Sequence, residues 1–362
     1  MNEETVRIFA GLNLPAPDKV VSADITDISK LDAYRIYFGK PPKEPIPVVH
    51  LLGQRISTAG NLTVVAAQAK SGKTAVVGAM IAALVTADTL DSSELEGRDL
   101  LGFTAAAADG KAVVVFDTEQ SPYDAWTLVK RVLKRAKAGD LPSNFRCYHL
   151  AEIGTRERRK YLSGELQRAK TDCGGIHCVF VDGVADLCVD PNNIEESFGL
   201  VEELIQLAIT YECPIALVIH ENPSGQDTGK TRGHLGSQLL RKAESNLRVL
   251  KGANGISTIY SDHCRRANIP KEHGVRFVFD AEADMHVTVT TDAAEDKLEA
   301  KRKKCRTELD GVFSCGETFK YTALLERIMG MSSVSKRTAE RRIKDWIDLG
   351  LIKNASGDYT RL

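Results

Sequence analysis

A short loop of small and polar residues near residue 70 has the composition of a phosphate-binding loop. It follows an apolar run, Leu62 to Ala66, and precedes the alanine-rich segment 75–87, so a buried strand and a buried helix are predicted around it. Such a loop turns backbone N–H groups toward an anion that faces the positive end of the helix. The predicted phosphate ligands are Gln68, Ala69, Lys70, Ser71, Gly72, Lys73 and Thr74. Lys73 would contact the β- and γ-phosphates, and the Thr74 hydroxyl would bind Mg²⁺.

The loop departs from the usual phosphate-loop pattern at one position. Ala67 stands where G-x-x-x-x-G-K-[ST] begins with glycine. Alanine is tolerated there if the residue keeps an ordinary backbone conformation, since only a positive φ requires glycine. The alternative is a chance Gly-Lys-Thr in a loop, but the strand before it and the helix after it favour nucleotide binding.

Two further apolar runs end in carboxylates. The run Ala112 to Phe116 is followed by Asp117 and Glu119, and Cys178 to Val181 is followed by Asp182, with Asp186 four residues on. In open α/β sheets ligands bind beyond the carboxyl ends of the strands. Glu119 is therefore predicted to orient an attacking water, and Asp182 to hold the metal through a bound water. A helix cap or loop role is the alternative for each acid taken alone.

The run Ile215 to Ile219 ends in His220 and is followed by a long polar, glycine-rich stretch. A loop of this length without apolar anchors is usually functional or disordered. Its cationic side chains suit phosphate contacts, and those predicted to bind DNA are Lys230, Arg232 and His234.

The elements that must position these residues alternate between strands and helices. Apolar runs near residues 62, 112, 145, 178, 215 and 247 are separated by helical segments, which predicts a mostly parallel sheet covered on both faces. Residues 256–262 and 276–280 predict a hairpin on the sheet edge. We therefore predict an α/β domain over 47–292, preceded by a proline-rich arm over 1–46 and followed by a separate domain over 293–362.

The last 70 residues predict three helices and two short strands, the outline of a winged helix. A serine-capped helix near 335–349 would bury Val334, Ala339, Ile343, Trp346 and Ile347. Its predicted DNA contacts are Lys336, Arg337 and Arg341. From Ala294 onward the chain has 15 Lys/Arg and 11 Asp/Glu, a net charge of +4. This charge is compatible with DNA binding, but also with the alternative of a domain that only packs and exposes a solvated charged face.

Composition places the chain among ordinary globular proteins. Of its 362 residues 43% are hydrophobic and 27% charged, and the net charge is −1. No stretch approaches the length of a membrane span, and the eight cysteines form no C-x-x-C pair. A cytosolic, non-membrane location with reduced thiols is expected.

Taken in this order, residues 48 to 290 resemble the RecA-fold hexameric motor ATPases. The resemblance is strongest to the RepA-like replicative helicases of plasmids and mobile elements, and weaker to the related DnaB-type helicases. The resemblance implies a RecA-like, mostly parallel P-loop ATPase that uses ATP and Mg²⁺. It makes Glu119 in FDTEQ the catalytic glutamate, Asp182 in VFVDG the Walker B aspartate and His220 the γ-phosphate sensor. Arg265 and Arg266 in HCRRANIP resemble basic residues that reach the neighbouring subunit's nucleotide.

The resemblance also implies partners and an assembly. These are single-stranded DNA in the central channel of a homo-oligomer, expected to be a hexamer, and duplex DNA as a further option for the winged helix. The sequence thus predicts a DNA motor, such as a helicase acting in DNA replication of a mobile element. Two alternatives stay open, a nucleotide-switched DNA adaptor without unwinding activity, and a metabolic or signalling ATPase whose C-terminal domain only packs.

Overall fold

The computed structural model describes residues 31–89, 97–222, 231, 233–252, 254–266, 268–289, 293–313, 317–332, 334–355 and 357–361. The chain divides into two compact units, Met1–Pro45 and Ile46–Leu362. In the first unit, the described part holds one short 3₁₀ turn over 31–34 and an isolated bridge between Tyr37 and Lys40. Its large apolar side chains, such as Phe38, are exposed.

The strands and α-helices that the structure describes all belong to the second unit. The strands are β1 (Pro47–Leu51), β2 (Gln54–Thr58), β3 (Leu62–Ala67), β4 (Phe103–Ala105), β5 (Ala112–Asp117), β6 (Phe145–His149), β7 (Ile176–Asp182), β8 (Ile215–His220), β9 (Ser245–Lys251), β10 (Ser257–Cys264), β11 (Val275–Asp280), β12 (Met285–Thr288), β13 (Thr318–Lys320), β14 (Ile352–Ala355) and β15 (Asp358–Arg361). The helices are α1 (Lys73–Thr89), α2 (Pro122–Ala136), α3 (Thr155–Cys173), α4 (Ile194–Thr210), α5 (Gly233–Lys242), α6 (Ala293–Val312), α7 (Tyr321–Ser332) and α8 (Lys336–Asp348).

A nine-stranded sheet in the order β12-β11-β10-β9-β3-β8-β7-β5-β6 forms the centre of this unit. The six strands from β9 to β6 pair in parallel, whereas β10, β11 and β12 extend the sheet in antiparallel fashion. The mostly parallel α/β sheet predicted from the sequence is therefore confirmed. The hairpin of β10 and β11 is present, but β12 pairs outside it, so the prediction that the hairpin forms the sheet edge is wrong.

The parallel strands are buried on both faces, which explains why their sequences are continuous apolar runs. All residues of β3, β5 and β7 are buried. Helices α1 and α2 contribute to the core on one face, and α3, α4 and α5 to the core on the other. Strand register aligns Ala67 with His220 and Asp117 with Asp182. The carboxyl ends of β3, β8, β7 and β5 consequently share one edge of the sheet.

Two smaller sheets complete the unit, and each contains strands that the sequence did not predict. The order β2-β1-β4 forms one, and β13-β15-β14 forms the other. Helices α6, α7 and α8 share a separate apolar core with the second sheet, centred on the fully buried Trp346. Ser335 caps α8 by accepting a hydrogen bond from the Thr338 N–H, as predicted. Ile347 is 40% exposed, so its predicted burial is wrong, because the buried stripe of α8 runs through Ala339, Ile343 and Trp346.

Within the described residues, none of the helices has the length and apolar character needed to cross a bilayer.

Candidate nucleotide site

The loop between β3 and α1 turns through two residues with left-handed backbone conformation, Lys70 at φ 61° and Gly72 at φ 97°. The Ser71 hydroxyl donates to the Gln68 carbonyl at 2.6 Å and tightens the turn. A Cβ on Gly72 would lie 2.8 Å from the Phe277 ring, so this position requires glycine on two grounds. Ala67 is the last residue of β3 and is fully buried in extended conformation. The glycine missing from the motif is therefore not needed.

Lys73 begins α1, and its side chain crosses the carboxyl ends of the neighbouring strands. Its Nζ lies 2.8 Å from Nε2 and 3.0 Å from Nδ1 of His220, and 4.0 Å from Oε2 of Glu119. Burial lowers the pKa of the ammonium group, while the charges of Glu119, Asp182 and Asp186 oppose that shift. The cation therefore sits at the meeting point of β3, β5 and β8 and is balanced by carboxylates.

Glu119 follows β5 and faces the same point. Its Oε2 lies 3.1 Å from His220 Nε2, and this hydrogen bond, with the nearby Lys73 charge, holds the pKa of the carboxyl below its usual range. The side chains of Glu119 and His220 are 31% and 34% exposed. An ionised carboxylate is thus available to a ligand or water that enters from solvent.

Asp182 ends β7 and is only 3% exposed. Burial, together with the charges of Asp117 and Glu119, raises the pKa of this carboxyl to about 7. Its Oδ2 has no hydrogen-bond partner within the described part of the chain. A buried carboxylate oxygen without a partner, on the same edge as the Thr74 hydroxyl, fits the oxygen ligands that Mg²⁺ prefers. The residues present are therefore compatible with Mg²⁺.

The turn that carries Glu119 is fixed by its neighbours. Asp117 Oδ1 accepts hydrogen bonds from the backbone N–H groups of Glu119 (3.1 Å) and Gln120 (2.9 Å), and its Oδ2 accepts from Gln120 Nε2 (2.7 Å). The Thr118 hydroxyl oxygen lies within 3.0 Å of the Asp182 and Gly183 carbonyl oxygens and of Asp186 Oδ2, so its single proton has three acceptors within reach. These bonds tie the end of β5 to the end of β7 and hold Glu119 over the phosphate loop.

A cavity of about 310 Å³ lies beside the phosphate loop, between α1, α2 and β12. Its polar lining includes Gln120, Asp124, Thr127, Arg131 and His286. Burial and the charges of Arg135 and Arg131 lower the pKa of His286 to about 4, so this ring is neutral at pH 7. His286 could not be predicted from the sequence, because β12 lies about 200 positions beyond the loop and nothing local marks it as a neighbour.

A buried ion pair lies directly behind His220 and was also missed. Glu221 accepts from Arg248 Nε at 2.6 Å and from a second guanidinium nitrogen at 3.0 Å. Its side chain is 1% exposed, and its backbone forms a bridge with Thr231, where the described chain resumes after the polar loop. The pair anchors the residue after His220. The pair could not be predicted from the sequence, because Arg248 lies on β9 and Glu221 follows β8, and no fixed spacing relates the two positions.

Of the remaining predicted site residues, those that the structure describes lie outside this cluster. Lys230 and Arg232 are outside the described residues, and His234 is exposed on α5. The predicted DNA contacts on α8, which are Lys336, Arg337 and Arg341, are exposed. Arg265 donates to Asn61 Oδ1 (3.2 Å) and to the Lys242 carbonyl (2.8 Å). It follows β10, whose end pairs with the start of β9, so Arg265 and Arg266 lie at the opposite edge of the sheet from Lys73.

Comparisons with known proteins add little to this geometry. No family model matches the chain, and no curated protein does. Among solved structures, one titled "Crystal structure of the RadB recombinase" matches with a TM-score of 0.42 and 18% identity, over 66% of this chain and 94% of that chain. A likeness this distant carries no conclusion about the chain.

Proposed function

We propose that the chain is an ATP-hydrolysing DNA motor with a RecA-like P-loop core, similar to the replicative helicases of mobile elements. The observation that supports this most strongly is the convergence of Lys73, Glu119, Asp182 and His220 at one sheet edge, each at the end of a different strand or at the start of α1. A cation at a helix N-terminus, an ionised carboxylate and a buried metal-binding carboxylate are the parts that phosphoryl transfer to water requires.

In the proposed mechanism the phosphates of ATP occupy the loop and draw the Lys73 ammonium away from His220. Glu119 then loses its cationic neighbour and is placed to take a proton from the attacking water. His220, released from Lys73, is placed to contact the γ-phosphate. Thr74 and Asp182 would hold Mg²⁺, which neutralises charge on the phosphate oxygens when bound. The cavity lined by Gln120, Asp124 and Arg131 would accept the nucleoside.

The DNA part of the proposal is supported by exposed cations. The exposed face of α8 carries Lys336, Arg337 and Arg341, and we propose that residues 293–362 form a winged helix that contacts duplex DNA. Lys230 and Arg232 follow His220 and Glu221 closely in the sequence, and Thr231, which lies between them, pairs with Glu221. We propose that the loop containing these two cations contacts single-stranded DNA in a hexameric ring, so that nucleotide state and DNA contact are linked through adjacent residues.

The test is steady-state ATP hydrolysis by the full chain with and without single-stranded DNA, run beside a strand-separation assay. We expect hydrolysis that requires Mg²⁺ and rises severalfold with DNA. DNA stimulation without strand separation would favour the adaptor, and hydrolysis indifferent to DNA would favour a metabolic or signalling ATPase. Absence of nucleotide binding would overturn all three.

A further inference from the structure

Helix α2 presents an exposed aromatic and basic face. Tyr123 and Trp126 are 71% and 55% exposed, and their ring centroids lie 5.7 Å apart. Lys130 Nζ lies 5.9 Å from the Trp126 ring, and Lys134 follows one turn later on the same side. Exposed Tyr and Trp side chains are enriched in protein interfaces, and cations beside them can pair with an acidic partner surface.

Helix α4 presents a face of the opposite character. Ile194 and Phe198 are 54% and 47% exposed, and they are four residues apart on one side of the helix. The acidic residues Glu195 and Glu202 are exposed on that side as well. This face therefore combines apolar side chains with negative charge, where the α2 face combines them with positive charge.

The two faces lie on opposite sides of the central sheet. The inner side of α2 packs into one core through Leu128 and Val132, and the inner side of α4 packs into the other through Leu200 and Leu204. They therefore cannot cover each other within one chain. Two different, complementary patches on opposite sides of a molecule generate a head-to-tail contact between copies, which closes into a ring or extends as a filament.

From this arrangement we infer that the α2 face of one chain docks on the α4 face of a second copy. The inference rests on the proposed function, because it makes the nucleotide site part of a subunit boundary. Helix α2 starts three residues after Glu119, and the side of the helix next to this face lines the cavity beside the phosphate loop through Asp124 and Arg131. A neighbour seated on α2 consequently borders the nucleotide.

The charges favour a second copy over nucleic acid as the occupant. Asp284 lies 3.9 Å from Lys130 and 3.0 Å from Arg131, which offsets part of the positive charge of the α2 face. The acidic α4 face would repel a phosphate backbone but matches lysines. A copy of this chain supplies both partners in a single contact.

The experiment uses charge reversal in the full chain. One variant carries Lys130→Glu with Lys134→Glu, and the other carries Glu195→Lys with Glu202→Lys. Mass is measured by light scattering with a non-hydrolysable ATP analogue and Mg²⁺. Each variant alone places like charges at the contact and should stay monomeric, whereas an equimolar mixture pairs opposite charges at every contact of an alternating ring and should assemble.

A matched control lies on α3, where Lys160 and Tyr161 are exposed and Tyr161 is 58% exposed. Lys160→Glu and Tyr161→Ala should assemble like the wild type. Trp126→Ala should weaken assembly by about 30-fold or more, the loss expected for a central interface aromatic.

Fluorescent-nucleotide binding is read on the same samples, which separates this inference from the proposed function. Variants that bind nucleotide but do not assemble support the contact. Three results would overturn the contact between the α2 and α4 faces: assembly of either charge-reversed variant alone, a mixture that stays monomeric, or a wild type that binds nucleotide but stays monomeric. Loss of single-stranded DNA binding by the α2 variants without any change in mass would assign the α2 face to nucleic acid. A wild type that does not bind nucleotide would contradict the proposed function instead.

Discussion

At the scale of single residues, the site depends on one buried cation and the groups that balance it. The Lys73 Nζ contacts both ring nitrogens of His220 and lies 4.0 Å from Glu119. Because the ammonium is buried, an incoming phosphate meets a charge that water screens poorly. The strength of phosphate binding should therefore depend on Lys73 more than on any other residue of the loop.

Lys73→Ala should lower the affinity for ATP by about 10- to 100-fold, since it removes charge-assisted hydrogen bonds to the phosphates. Lys70→Ala is the control, because the side chain of Lys70 is exposed and its predicted phosphate contact is made by the backbone N–H, which the substitution keeps. It should change affinity by less than about 3-fold. Titration with a fluorescent ATP analogue measures both, and equal affinities for the two variants would refute the role of Lys73.

Asp182 should make the stability of the nucleotide-free protein depend on pH. Its pKa is about 7 in the fold against an ordinary 3.8, so the charged form is disfavoured, and stability is lost as pH rises from about 4 through 7. Asp182→Asn removes this loss. The free energy of unfolding of the variant relative to the wild type should increase between pH 5 and pH 8 by about 2–3 kcal/mol.

Urea denaturation at the two pH values, without Mg²⁺, measures this effect. The exposed Asp140→Asn serves as the control and should show no such difference. Parallel stability profiles for Asp182→Asn and the wild type would mean that Asp182 is already ionised without metal.

Sequence reasoning could place Lys73, Thr74, Glu119, Asp182 and His220 near one another because parallel strands end at a shared edge. It could not find His286 or the Glu221–Arg248 pair. Arg248 and His286 lie on the late strands β9 and β12, which have no fixed spacing from the phosphate loop. Their proximity to the site depends on strand order and on the direction of each side chain, which the sequence does not give.

At the scale of elements, the turn after β7 packs directly against the turn after β5, and a side chain at Gly183 would not fit between them. Gly183 has φ 98°, and a Cβ there would lie 2.3 Å from the Thr118 hydroxyl and 2.7 Å from Glu119 Cγ. Gly183→Ala should therefore displace Glu119, lower the hydrolysis rate by about 10-fold or more, and destabilise the fold by about 2–5 kcal/mol.

Gly110→Ala is the matched control for this change. Gly110 has φ 80°, but a Cβ at this position would have no atom within 4 Å among the described residues, so only the backbone strain of about 1–2 kcal/mol applies. Hydrolysis rates and denaturant midpoints measured on both variants decide the point. Equal effects would show that the contact with Glu119 does not matter.

The elements themselves are predictable where burial is complete. Strands such as β3, β5 and β7 are apolar throughout because helices cover both faces. The short strands β1, β2, β4 and β12 carry mixed sequences, and their pairing depends on distant partners. That is why sequence patterns predict neither the three-stranded sheet β2-β1-β4 nor the true edge of the main sheet.

At the scale of the whole molecule, the predicted role of Arg265 and Arg266 is to contact the nucleotide bound by another copy of the chain. Arg265 and Arg266 lie at the opposite sheet edge from Lys73, so within one chain they cannot complete the site. If they act in trans, Arg265→Ala or Arg266→Ala should retain ATP binding and hydrolyse about 10³-fold more slowly.

Mixing tests whether the groups belong to different chains. Combining an inactive arginine variant with Glu119→Gln should restore part of the activity, because some boundaries then hold both intact groups. A mixture of Lys73→Ala with Glu119→Gln should recover much less ATP hydrolysis. Lys73 and Glu119 belong to the same chain's part of the site, so every site in this mixture lacks one of them. Failure of the arginine mixture to recover would exclude Arg265 and Arg266 from a shared site.

The central claim is that Glu119 drives ATP hydrolysis at the Lys73 loop and that this hydrolysis responds to DNA. The most direct measurement is the rate of phosphate release at saturating ATP and Mg²⁺, with and without single-stranded DNA, for the wild type and Glu119→Gln. We expect DNA to accelerate the wild type, and the variant to bind ATP normally yet release phosphate at least about 10²-fold more slowly in both conditions. Phosphate release by Glu119→Gln at the wild-type rate, or a wild-type rate that DNA leaves unchanged, would contradict this claim.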